Sequence, residues 1–99
     1  MEKKFFVYML ANKPRGTLYV GLTSNLPKRI WEHREKVFDG FTKRYAITQL
    51  VWFEPYGEAE YAIAREKRLK RWNREWKFAL VEGTNPTWRD LYDDLGPAI

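Results

Sequence analysis

Cysteine is absent from the 99 residues and histidine occurs once. Without thiols there is neither a disulfide framework nor a thiolate metal site, and one imidazole excludes an all-histidine zinc site. This usage suits a reducing compartment. No apolar run approaches the roughly 18 to 20 residues that cross a bilayer. The opening MEKKFFVYMLANK has an apolar stretch too short to read as a signal peptide. A cytoplasmic protein with no membrane partner is therefore expected. Repeats, linkers and low-complexity tracts are also missing, so residues 1–99 are read as one domain. Nothing in the sequence reports on oligomeric state.

Apolar residues make up 44% of the chain and aromatics 17%, too many for a disordered segment and enough to build a core in a chain that buries about 60 to 65% of its unfolded surface. Eighteen Lys and Arg stand against 13 Asp and Glu, giving a formal charge of +5 and a pI near 9.6. A small chain with that excess attracts polyanions, nucleic acid first among them. Mild basicity with no such partner is the alternative reading.

Residues 16–33, GTLYVGLTSNLPKRIWEH, organise the rest. Strand alternation over 17–22 sends Leu18 and Val20 one way and Thr17, Tyr19 and Gly21 the other, so Tyr19 need not be a core residue. Thr23, Ser24 and Asn25 are helix-capping types, and Pro27 suits a first turn. The helix is expected from about Asn25 to Phe38, stopped by Asp39 and Gly40. At about 100° per residue, Leu26, Ile30 and Val37 form its apolar stripe, with His33 inside it and Arg29 on its edge.

Ahead of this lies the apolar run Phe5–Ala11, a strand that the turn-forming residues 12–16 fold onto 17–22 as a hairpin, bringing Tyr8 and Tyr19 into one sheet. Residues 41–46 have no evident assignment. ITQLVWFE at 47–54 reads as a central or third strand ended by Pro55-Tyr56-Gly57. A helix over 58–72 carries Ala59, Ala62, Ile63 and Leu69 on one stripe with Glu66 near its middle, a costly place for a carboxylate unless it is paired or binds a metal. Another helix is expected over 74–81, ended by Gly83. Asn85 and Pro86 read as the cap and first turn of a further helix through Trp88, Leu91, Tyr92 and Leu95.

Two tyrosines on paired strands, Arg29, His33 one helical turn later and Glu66 make a candidate phosphodiesterase constellation. Such hydrolysis needs a group that activates water, a cation that offsets charge on the transition state and commonly a divalent metal on a hard oxygen ligand. A tyrosine serves as base only where nearby positive charge lowers its pKa. Over about residues 5 to 91 the chain resembles the GIY-YIG nuclease family, in its small single-domain form. Val7-Tyr8-Met9 and Tyr19-Val20-Gly21 stand for the two family triplets, with Val and Met in place of the flanking Gly and Ile of the first. Arg29, His33, Glu66 and Asn85 occupy the family's later positions.

The resemblance implies an α+β fold with a small three-stranded antiparallel sheet flanked by helices, and a metal-dependent endonuclease acting on DNA, structure-dependent or weakly sequence-specific, in repair or mobile-element processing. It implies that Tyr8 activates water, Tyr19 shapes the site, Arg29 binds the scissile phosphate, His33 relays a proton or orients a tyrosine, and Glu66 holds one Mg²⁺ or Mn²⁺. Lys43, Arg44, Tyr45, Lys70, Arg74 and Asn85 are candidate nucleic-acid contacts. Each residue has a plainer alternative: sheet tyrosines, a rim arginine, a packed histidine, a Glu66 paired with Arg29 or Lys70, and Asn85 as a helix cap. Trp72 and Trp76, inside the basic run 65–77, are expected in the core. The rival functions are a nucleic-acid-binding module with this fold and little catalysis, and a protein-interaction domain.

Overall fold

The central strand is β1 (Phe5–Ala11), not the later apolar strand: β2 (Leu18–Thr23) and β3 (Gln49–Tyr56) pair with it antiparallel on either side, in the order β2-β1-β3. The structure, a computed structural model, describes residues 4–35 and 40–95. Residues 7 to 11 of β1 are all fully buried, as befits a strand covered on both faces. Val7, Met9 and Ala11 face one cluster with Ala62, Leu69, Phe78 and Val81, while Tyr8 and Leu10 face another with Leu26, Ile30, Ile47 and Leu50. The sheet therefore lies between α3 (Ala59–Arg71) with α4 (Arg74–Thr84) and α1 (Leu26–Arg34) with the 3₁₀ turn Tyr92–Leu95. This is the α+β architecture expected.

Register shifts between Met9, opposite Trp52, and Leu10, opposite Leu50. The extra residue, Val51, makes a β-bulge, and Val51 and Trp52 enter the same core cluster despite being neighbours. β3 runs on through Pro55 to Tyr56, beyond the expected stop, because an edge strand tolerates a residue without an N–H. Part of its outer edge is covered by a later segment of the chain: Leu50 N donates to Asp90 Oδ1 at 3.2 Å and Leu91 N to Leu50 O at 2.7 Å.

Asn25 caps α1 through Lys28 N, with Pro27 in the first turn, and Leu26, Ile30 and His33 are its buried residues. The helix ends at Arg34; the expected extension to Phe38, with Val37 and Asp39, falls outside the described residues. Gly40, at φ +116°, precedes α2 (Phe41–Arg44), a helical turn within the segment 41–46 whose sequence suggests no element. On α3, Ala62 and Leu69 are buried but Ile63 is 40% exposed, so the stripe is narrower than periodicity predicts. α4 passes through Gly83 to Thr84. A lone glycine costs a helix about 1 kcal/mol, which burial of Phe78 and Val81 outweighs. Trp72 packs half-buried against the core, whereas Trp76 is 58% exposed and meets it edge-on.

The helix expected after Asn85 does not form. Asn85 closes α4 at its C-terminal end, and the chain continues irregularly to the 3₁₀ turn. Trp88 there takes φ +60°, held by an Nε1 bond to Glu82 at 2.6 Å and by the edge of Phe78. Glu82 also receives Arg15 at 3.0 Å, tying the β1–β2 turn to α4.

Candidate functional site

Alternation on β1 and β2 puts Tyr8 and Tyr19 on the face that α1 covers. Tyr8 stands opposite Gly21, and its ring crosses the strand there: a Cβ at position 21 would lie 2.3 Å from Tyr8 Cζ and 2.4 Å from its hydroxyl. Only glycine leaves that passage open. The ring then reaches α1, where its hydroxyl meets His33 Nε2 at 3.1 Å. Ring centroids lie 6.3 Å apart for Tyr8 and Tyr19, 6.0 Å for Tyr8 and His33 and 5.4 Å for Tyr19 and His33, so the three rings form one cluster.

Arg29, one turn before His33, lies beside the Tyr8 hydroxyl and pairs with Glu32 at 3.4 Å. It also lines a cavity of about 280 Å³ with Thr23, Ser24, Asn25, Lys28 and Glu32. Glu66 projects from the flank of α3's buried stripe. Its side chain retains 18% exposure, it pairs with Lys70 at 3.2 Å, and its charge is felt at Tyr8. Of the pairings left open for Glu66, the structure forms the one with Lys70.

Burial pushes the Tyr8 phenol up well beyond its ordinary value of 10.0, with Tyr19 and Glu66 adding to the shift and Arg29 opposing it. The expectation that positive charge lowers it is corrected: desolvation outweighs Arg29. The imidazole of His33 is pushed below 6.5, by burial first and by Arg29 second, against Glu32. At neutral pH the pair is a phenol facing a neutral imidazole.

Tyr8, Tyr19, Arg29, His33 and Glu66 are thus brought together. Lys43, Arg44 and Tyr45 lie on and just after α2, exposed, next to Thr42, whose hydroxyl bonds His33 Nδ1 at 3.1 Å. Arg74 goes elsewhere, donating to Arg15 O at 2.9 Å and lying over Phe78. Asn85 is 5% exposed and braces the fold: its Nδ2 donates to Val51 O and Arg89 O, and its Oδ1 accepts from Arg89 N. Sequence reasoning missed Glu32, whose three-residue spacing from Arg29 is a readable signal, and Thr42, which has none.

Among the described residues no group of three or more His, Asp or Glu side chains could hold a metal. A single, partly exposed carboxylate such as Glu66 still fits Mg²⁺, which keeps most of its waters and takes its other ligands from substrate phosphate. The donor set suits a hard ion that arrives with substrate.

A family model described as the GIY-YIG catalytic domain matches residues 4–79, a span that contains both tyrosines, Arg29, His33 and Glu66, and the chain belongs to this family of nuclease-type domains. Within it the relatives are small UPF0213 proteins. One from Staphylococcus saprophyticus is 31% identical over 79% of this chain and 94% of its own length; another, from Haloquadratum walsbyi, is 33% identical over 83% and 91%. The solution NMR structure of a UPF0213 protein from Bacillus halodurans shares the fold, with a TM-score of 0.55 and 24% identity over 88% of this chain and 92% of that one. No helix among the described residues is long and apolar enough to cross a membrane.

Proposed function

We propose that this single domain is a metal-dependent endonuclease that hydrolyses DNA phosphodiester bonds, structure-dependent or weakly sequence-specific, with DNA repair as its setting. The observation that carries the reading is the Tyr8 hydroxyl, placed between His33 Nε2 at 3.1 Å and the Arg29 guanidinium. Tyr8 takes a proton from the attacking water as its own hydroxyl proton passes to Nε2, which is free to accept because the imidazole is held neutral. The water oxygen bonds to phosphorus and the opposite P–O bond breaks. Arg29 binds the phosphate and meets the charge that grows on it. Tyr19 walls the site beside both rings. Glu66 would hold the divalent ion, which when bound supplies charge stabilisation at the leaving oxygen.

Supercoiled plasmid, branched DNA and single strands incubated with Mg²⁺ or Mn²⁺ test the reading. Cleavage is expected, with Arg29→Ala and Glu66→Ala each lower by about 10²- to 10³-fold; activity that survives both substitutions overturns it. The Lys70 partner of Glu66 favours a second reading, a nucleic-acid-binding module with little catalysis. Salt-sensitive DNA binding that is indifferent to Glu66→Ala, without cleavage, selects it.

A further inference from the structure

His33 is the chain's one histidine, 5% exposed, and both of its ring nitrogens have partners: Tyr8 Oη and Thr42 Oγ1, each at 3.1 Å. A carboxylate or carbonyl at Nδ1 would dictate the tautomer, because it only accepts. A hydroxyl donates or accepts, so the direction of the chain is decided at its other end. There the Arg29 guanidinium lies beside Tyr8 Oη and has only donors. Oη accepts from Arg29, which leaves its one proton for His33 Nε2. Nε2 is then the bare nitrogen, and Nδ1 carries the hydrogen that Thr42 Oγ1 receives.

We propose that Thr42 is a positioning residue, accepting the Nδ1 proton of His33 and so holding the imidazole in the tautomer whose Nε2 takes the hydroxyl proton of Tyr8. The inference rests on the nuclease reading above for its consequence, and on the hydrogen-bond chain alone for its content. Proton transfer balances along the chain: water gives one proton to Tyr8, and Tyr8 gives one to Nε2. The resulting imidazolium has an N–H for each of its two partners, Oη and Oγ1. In the opposite tautomer Nε2–H would donate to Tyr8 and could receive nothing. Thr42 is well anchored for the task, 7% exposed, with its carbonyl accepting from N–H of the fully buried Ile47 at 2.9 Å. Lys43 and Arg44 follow it on α2, so the element that offers candidate DNA contacts also fixes the histidine.

With one histidine, a ¹H–¹⁵N correlation of the imidazole in uniformly labelled protein reads its tautomer without assignment work. At a pH where the ring is neutral, wild type is expected to show a protonated Nδ1 and a bare Nε2, and Thr42→Ser to keep that pattern. Thr42→Val should move the proton to Nε2 and slow cleavage by about tenfold or more, the scale for removing the partner that orients a histidine. A protonated Nε2 in wild type overturns the proposal, as does an unchanged tautomer in Thr42→Val. If wild type cleaves no DNA, the nuclease reading fails while the spectra still decide the role of Thr42. If Thr42→Val does not fold, wild type and Thr42→Ser decide it, and a serine variant with the proton on Nε2 counts against it.

Discussion

Tyr8 lies across the backbone of Gly21 with no room for a methyl group between them: a Cβ there would come within 2.3 Å of the ring. Gly21→Ala therefore has to part the strands or turn the ring away from His33. The expected cost is about 1 to 3 kcal/mol, the usual range for overpacking, with cleavage falling to the level of Tyr8→Phe. Urea unfolding and a cleavage assay on the same samples check both.

Stability should depend on pH at both ends of the neutral range. His33 is pushed below 6.5 in the folded protein, so the unfolded chain binds the proton more readily. Its contribution is complete above about 6.5 and is lost as pH falls toward the folded value. Tyr8 is pushed above 10.0, so its contribution is complete below about 10 and is lost as pH rises past it. Unfolding free energies measured across pH should form a plateau between these limits. Tyr8→Phe should remove the alkaline fall that this residue causes, and a fall that persists unchanged counts against the assignment.

Asn85→Ala should act on the fold. Its amide serves two carbonyls and one N–H that would otherwise be unpaired, and removal costs about 1 to 3 kcal/mol. Cleavage normalised to the folded fraction, and DNA affinity at fixed salt, should be unchanged. A selective loss of affinity would return Asn85 to the nucleic-acid surface.

Lys43 and Arg44 are exposed on α2 beside Thr42. If each neutralises one phosphate, alanine at either position should reduce the slope of log K against log salt by about 0.9. Titrations at several salt concentrations read this directly, and an unchanged slope removes the pair from the DNA surface.

Chelation should stop cleavage without loosening the fold. No cluster of three ligating side chains exists among the described residues, so binding an ion adds little folding energy. EDTA is expected to abolish nicking and leave the unfolding midpoint where it was; a large drop in the midpoint would reveal a structural metal.

Much of the site is legible in the order of its residues. Period-two alternation places Tyr8 and Tyr19 on one face, capping chemistry locates the start of α1 at Asn25, and helical spacing turns His33 inward. A carboxylate on a packing stripe singles out Glu66. Local signals mislead where they compete with packing. Gly83 and Pro55 are breakers by propensity, yet burial of Phe78 and Val81 carries α4 past the first, and the free edge of β3 accommodates the second. Asn85 and Pro86 carry the chemistry of a helix start, but the same asparagine side chain braces the end of α4 because Val51 O and Arg89 lie within its reach.

The sequence by itself determined the residue types of the site and the elements that carry them, because strand and helix periodicities are local properties of the chain. Tertiary structure alone decided which groups touch. Thr42 comes from nine residues beyond His33 to hold Nδ1, and Glu66 takes Lys70 as its partner. The Tyr8 phenol is raised rather than lowered because burial, a property of the assembled core, outweighs one neighbouring guanidinium.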